Sequence, residues 1–134
     1  MENIRLTGEL AFSRLKSLDP EYNSWNITLY VDKENQQAYV KAGGQGEFRT
    51  DENGDKIILR RYPTLKLTTG EVKDMGPPYV RYKGENYNRI VGNGSTVVAE
   101  VQPYEYKKNG GGIGMRLVGI TVTNLVEYVP KDAD

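Results

Sequence analysis

Cysteine and histidine are both missing from the 134 residues. Without cysteine there is no disulfide, no thiolate metal site and no cysteine nucleophile, and a reducing compartment suits the chain. Without histidine the commonest general base and the usual ligand of zinc and copper are gone, so hydrolytic and metal-assisted mechanisms lose their main parts. Catalysis would have to run on carboxylates, lysines or tyrosines, and no spacing of carboxylates singles out an acid/base pair. No stretch approaches the roughly 18 apolar residues of a membrane span, and "MENIRLTGEL" lacks the basic-then-apolar pattern of a secretory signal. The expectation is a soluble, intracellular protein without enzymatic activity.

Amphipathic helical periodicity is almost as scarce; what recurs is strand-like alternation separated by turn chemistry. A first strand over residues 3–15 places Ile4, Leu6, Leu10 and Phe12 on an apolar face, with Gly8 at a bulge or bend. A second, over 24–32, alternates Trp25, Ile27, Leu29 and Val31 toward a core with Asn26, Thr28 and Tyr30 outward. Residues 32–44 hold one short helix ended by Gly43. A third strand, "KIILRRYPTLKL" (56–67), sets Ile57, Leu59 and Leu65 against a row of Arg60, Tyr62, Thr64 and Lys66. Residues 68–95 form a long irregular connection, and "VGNGS" (91–95) is its turn into a fourth strand. That strand (95–107) sends Val97, Ala99 and Val101 inward and Glu100, Gln102, Tyr104 and Tyr106 outward. After a glycine-rich tip, a fifth strand from residue 115 keeps Val118, Ile120 and Val122 in phase, with a bulge at Asn124. The class is therefore all-β with long loops and little helix. Five strands with an early glycine suit a small closed barrel, and an open sandwich is the other arrangement. Residues 1–129 read as one domain, followed by a short tail at 130–134.

Net charge is zero, but it is unevenly placed. Residues 56–90 carry eight Lys/Arg against three Asp/Glu, whereas residues 1–55 carry six against ten. The basic third is also the aromatic third: Tyr62 lies between Arg60 and Lys66, and Tyr79, Arg81, Tyr82, Lys83, Tyr87 and Arg89 follow within eleven residues. Tyr104 and Tyr106 lead into Lys107 in the same manner. Bases stack on tyrosine and phosphates take lysine or arginine, so rings alternating with cations suit unpaired nucleic acid. Duplex recognition fits less well, because no helix is available to enter a major groove. A β-rich module that contacts protein or sugar through exposed tyrosines is the alternative, and the neutral net charge favours it.

From "VGNGSTVVAEVQPYEYKKNGGGIGMRLVGITVTNLVEYV" the chain resembles the single-stranded DNA-binding replication proteins of short-tailed bacteriophages. The resemblance rests on the turn Gly92, Gly94 and Ser95, the pair Pro103 and Tyr104 at a strand end, and Leu125, Val126 and Glu127 closing a long apolar strand. It implies an OB-fold barrel that coats exposed DNA during replication or recombination in the cytoplasm of the infected host. It further implies no cofactor, frequent homodimers, and contacts with phage polymerase and helicase. Two departures are visible. Relatives carry a long helix-bearing insertion after the second strand where this chain is short, and a long acidic tail where it reads "VPKDAD".

Overall fold

The computed structural model describes residues 2–67, 69–106 and 110–129. Ten strands and one helix follow in the order β1 (Ile4–Asp19), β2 (Ser24–Tyr30), α1 (Lys33–Lys41), β3 (Arg49–Asp51), β4 (Gly54–Arg61), β5 (Thr64–Lys66), β6 (Val72–Asp74), β7 (Tyr79–Tyr82), β8 (Glu85–Asn86), β9 (Thr96–Tyr106) and β10 (Gly112–Asn124). Strands β4, β2, β1, β9 and β10 are neighbours in that order, and a parallel contact between β4 and β10 closes them into a five-stranded barrel. The all-β barrel expected from the sequence is borne out, and closure excludes the open sandwich. Among the described residues no helix is long and apolar enough to cross a membrane.

Strand β1 makes closure possible by serving two neighbours. Residues Ile4 to Glu9 pair with β9, and from Glu9 onward the strand pairs with β2. The change of partner falls at Gly8, where an added Cβ would collide with the carbonyl oxygen of Tyr30. Only a residue without a side chain lets the two backbones cross so closely. Inside, Leu6, Leu10, Ile27, Leu29, Leu59, Val97, Ala99, Val101, Leu117 and Ile120 are fully buried. Burying each leucine or isoleucine contributes about 1.5–3 kcal/mol, so this cluster is the main force that holds the barrel shut.

Helix α1 packs its Tyr39 and Ala38 against that cluster. Asp32 caps it by accepting from Asn35 N at 2.9 Å, and Gln36 Nε2 donates to Val31 O and to Asp55 Oδ2, both at 2.9 Å. Only Gln36 and Tyr39 are buried along its length. The apolar stripe is therefore narrow, and the helix ends before Gly43, whose φ of 115° is in glycine's territory. The "VGNGS" turn is internal structure as well. Ser95 is fully buried, its Oγ donating to Gly92 O at 2.8 Å and accepting from Val126 N at 2.8 Å. Its hydroxyl serves the fold and is not available to a phosphate.

Elsewhere the structure departs from the alternation. Phe12 does not share the inward face of Leu10 and is 66% exposed, because β1 gains a residue against β2 between Ala11 and Arg14 and Phe12 adopts φ 50° there. Trp25 stays half-buried, outside the packed cluster. The third strand stops at Arg61: Pro63 offers no N–H to continue the ladder, and Thr64–Lys66 belongs to a separate hairpin, β5–β6. The connection of residues 68–95 is not irregular, since β6, β7 and β8 lie within it. In β10 a register shift between Leu117 and Gly119 turns Val118 outward, so Leu117, Ile120 and Val122 are the buried set. The second shift, between Val122 and Asn124, lies where the sequence places a bulge.

Gly8→Ala tests the crossing. Forcing a methyl group against the Tyr30 carbonyl should lower unfolding stability by about 1–3 kcal/mol in denaturant titrations. An unchanged midpoint would mean that the strands do not meet so closely.

Candidate nucleic-acid interface

The outer face of β9 and β10 is built from rings laid on glycines. Antiparallel pairing sets Gly112 opposite Tyr106, Gly114 opposite Tyr104, Arg116 opposite Gln102 and Gly119 opposite Glu100. A Cβ at Gly112 or Gly114 would collide with the facing tyrosine, and one at Gly119 would collide with Tyr79 of the neighbouring β7. Each ring thus rests on bare backbone in space that only glycine leaves open. The Arg116 guanidinium lies 4.2 Å from the centroid of Tyr104 and donates to Gln102 Oε1 at 3.0 Å. Farther along, Arg81 lies 4.7 Å over Tyr79, whose hydroxyl donates to Glu100 Oε1 at 2.7 Å. Burial first, then this bond, pushes the Tyr79 hydroxyl above its ordinary pKa, so the ring stays neutral. Hydrogen bonds from Asn3 and then Tyr79 hold the Glu100 carboxyl below its usual range.

At the barrel seam Arg60 of β4 is the direct partner of Arg116. Arg60 lies 5.0 Å over the Tyr22 ring, which is about half exposed, and its buried Nε has no hydrogen-bond partner. A small cavity of about 60 Å3 opens between Arg60, Tyr62, Tyr104, Met115 and Arg116. The neighbouring Arg61 has a different occupation. Its Nη2, Nε and Nη1 donate to the carbonyls of Met75 at 2.6 Å, Gly76 at 2.8 Å and Leu117 at 3.2 Å. The doublet therefore splits by strand parity into one outward arginine with spare hydrogen-bonding capacity and one that ties the β6–β7 linker to β10.

Neither a family model nor a curated protein matches this sequence. Solved structures do. Over 100% of this chain and 98% of the other, the model superposes on gp2.5, a single-stranded DNA-binding protein encoded by bacteriophage T7, with a TM-score of 0.64 at 13% identity. The single-stranded DNA-binding protein of bacteriophage Enc34 matches at 0.57 and 13%, covering 98% and 87%, and its complex with single-stranded DNA at 0.55 and 13%, covering 96% and 89%. The fold is that of the phage single-stranded DNA-binding proteins. The resemblance carried by residues 90–128 thus extends in three dimensions over the whole barrel.

The residues singled out from sequence fall into three places. Arg60, Tyr62, Tyr104 and Tyr106 gather at the seam and on β9, joined by Tyr79 and Arg81 at the far end of the same outer surface. Lys66 is exposed on the β5–β6 hairpin. Tyr82 and Tyr87 meet edge-on at 5.9 Å and pack against the core, with Lys83 5.3 Å over Tyr82 at the hairpin turn, while Arg89 faces the opposite side beside β1. Lys107 lies outside the described residues. Tyr30 is engaged elsewhere: its hydroxyl donates to Asp51 Oδ2 at 2.8 Å, beside Lys56 Nζ at 2.9 Å, and Lys56 first among its partners holds the Asp51 pKa at about 2. Sequence reasoning missed Tyr22 and Arg116. Arg116 had a signal, as the one charge in "GIGMRLVGITVTN"; Tyr22, in a turn, had none.

The two arginines of the doublet should separate in stability measurements. Arg61→Met removes three donors to backbone carbonyls and should destabilise by about 3 kcal/mol, the scale of hydrogen bonds made by a charged group. Arg60→Met, which breaks no hydrogen bond, should stay within about 0.5 kcal/mol of the parent. Equal losses in chemical denaturation would contradict the split.

Proposed function

We propose that this protein binds single-stranded DNA without reading its sequence, coating exposed strands during phage DNA replication or recombination in the cytoplasm of the host bacterium. The observation that carries the proposal is the set of ring and cation stacks on one outer surface: Arg60 on Tyr22, Arg116 on Tyr104 and Arg81 on Tyr79. None of these guanidiniums forms an ion pair among the described residues. Their charge is free for phosphate, and an unpaired base can stack on the planar guanidinium or, once the arginine turns toward a phosphate, on the tyrosine face beneath it. Bases hidden inside a duplex cannot reach rings lying flat on a sheet, which gives the preference for single strands. Fold likeness to phage proteins that bind single-stranded DNA supports the same reading.

In this proposal Tyr62, Tyr79, Tyr104 and Tyr106 are stacking platforms, and Arg60, Lys66, Arg81 and Lys107 take phosphates alongside the newly recognised Arg116. Tyr82 and Tyr87 brace the β7–β8 hairpin, with Lys83 projecting from its turn and Arg89 from the segment that follows it. Residues 1–129 act as one binding domain with 130–134 as a tail, and binding involves no catalysis. Contacts with replication partners and self-association would be added to this surface.

Fluorescence anisotropy with a labelled oligonucleotide, single- or double-stranded, at two salt concentrations tests the reading. Tyr104→Ala should weaken single-strand binding by roughly 1–3 kcal/mol with an unchanged salt slope. Arg116→Ala should also shrink the slope of log K against log salt by about 0.7. Equal affinity for duplex, or a silent Tyr104→Ala, would sink the proposal.

A further inference from the structure

On the other side of β7, the outer half of β1 forms a second groove. Strand alternation places Tyr79 and Arg81 on the β9–β10 surface, whereas Val80 between them lines this groove. Its first stretch, of about 480 Å3, runs past Phe12, Arg14, Lys16 and Arg89, and a second, of about 440 Å3, continues from Arg89 past Tyr128 to Tyr87. Arg14, Lys16 and Arg89 form no ion pair among the described residues, and the one carboxylate lining the groove, Glu127, lies in the second stretch. Three cations and three rings repeat the composition of the first surface on residues of different strands.

Phe12 is the telling member. Its φ of 50° is in the left-handed region, which a Cβ disfavours, and its ring is 66% exposed. The bulge is held in place, because Asn93 Oδ1 accepts from Phe12 N at 2.8 Å and Ser13 Oγ donates to Val91 O at 2.9 Å. Folding alone would be served better by glycine at this position, since the ring buries little and the backbone is strained. What the bulge achieves is to hold an aromatic ring out at the mouth of a cationic groove.

We infer that the β1 groove is a second contact for the same nucleic-acid strand, reached around the β7–β8 hairpin and engaged only by strands too long for the outer face. The inference rests on the single-stranded DNA reading above. Lys83 is exposed at the turn of the β7–β8 hairpin that such a strand rounds. Phe12 stacks a base, and Arg14, Lys16 and Arg89 take phosphates.

The test uses the full chain with fluorescein-labelled oligothymidylates of about 6 and about 30 nucleotides, within and above the span of a single OB-fold site. Phe12→Gly should melt at or above the parent temperature, bind the short oligonucleotide as the parent does, and bind the long one about tenfold more weakly. The double variant Arg14→Ala/Lys16→Ala, confined to exposed side chains, should lower the salt slope for the long oligonucleotide by about 1.4 and leave the short one unchanged. If neither variant alters binding of the long strand, the inference is overturned and an added peptide strand becomes the better occupant of the groove. Equal weakening at both lengths overturns it too, by making the groove the primary contact. A parent protein that binds neither length overturns the DNA reading itself, whereas loss on Tyr104→Ala without loss on Phe12→Gly removes only the extension.

Discussion

The contact between β4 and β10 is a single parallel pair, Arg60 with Arg116, and the barrel and its outer surface both depend on it. Closure brings two arginines of like charge onto neighbouring strands. No carboxylate answers either one with an ion pair among the described residues. Each lies instead over a tyrosine, Tyr22 on one side and Tyr104 on the other, where the ring face attracts a cation without neutralising it. The seam that shuts the barrel is for that reason also a place where positive charge is held in excess.

The same seam explains the long segment between β4 and β9. Along β10, β4 is the neighbour at Arg116 and β7 is the neighbour from Gly119 to Val122, and both run parallel to it. They occupy one strand position in two pieces, with residues 62–78 looped out between them as the β5–β6 arm. Arg61 holds the base of that arm to β10 through three backbone carbonyls. Splitting the position lets the chain keep Tyr62 beside the seam, carry Lys66 out on the β5–β6 hairpin and still return Tyr79 to lie on Gly119.

How much of this was legible in the sequence follows from which forces are local. Burial of alternate residues is visible in one strand at a time, so Leu6, Leu10, Ile27, Leu29, Leu59 and the β9 set were identified as core without any partner strand. Bulges are set by pairing, so Phe12 and Val118 came out on the wrong face. Pro63 was a local warning that the third strand could not run through to Leu67, and the apolar Leu65 masked it. Glycines 112 and 114 read in sequence as part of a glycine-rich tip; their use as floors for Tyr106 and Tyr104, like that of Gly119 for Tyr79, exists only once β9, β10 and β7 are side by side. Stacking of Arg60 on Tyr22, nearly forty positions apart, is equally invisible before folding.

A neutral protein that concentrates cations must put its carboxylates to other uses, and the acidic first third does so. Asp19 accepts from the Glu21 backbone in a turn, Asp32 caps α1, Asp51 accepts from Asn53 N, Tyr30 and Lys56, and Asp55 accepts from Thr50 and Gln36. Hydrogen bonds to the charged form lower the pKa of all four, so each contributes stability above the ordinary aspartate range and loses it as pH falls through its depressed value. These carboxylates are bound into turns and caps around β1–β4, and among the described residues only two ion pairs, Lys33 with Asp55 and Lys56 with Asp51, draw cations toward them. Most of the described lysines and arginines stand outside any ion pair. Zero net charge therefore conceals a separation by role, in which acids hold the backbone and bases face outward, and such a separation focuses a field that attracts a polyanion to a neutral protein.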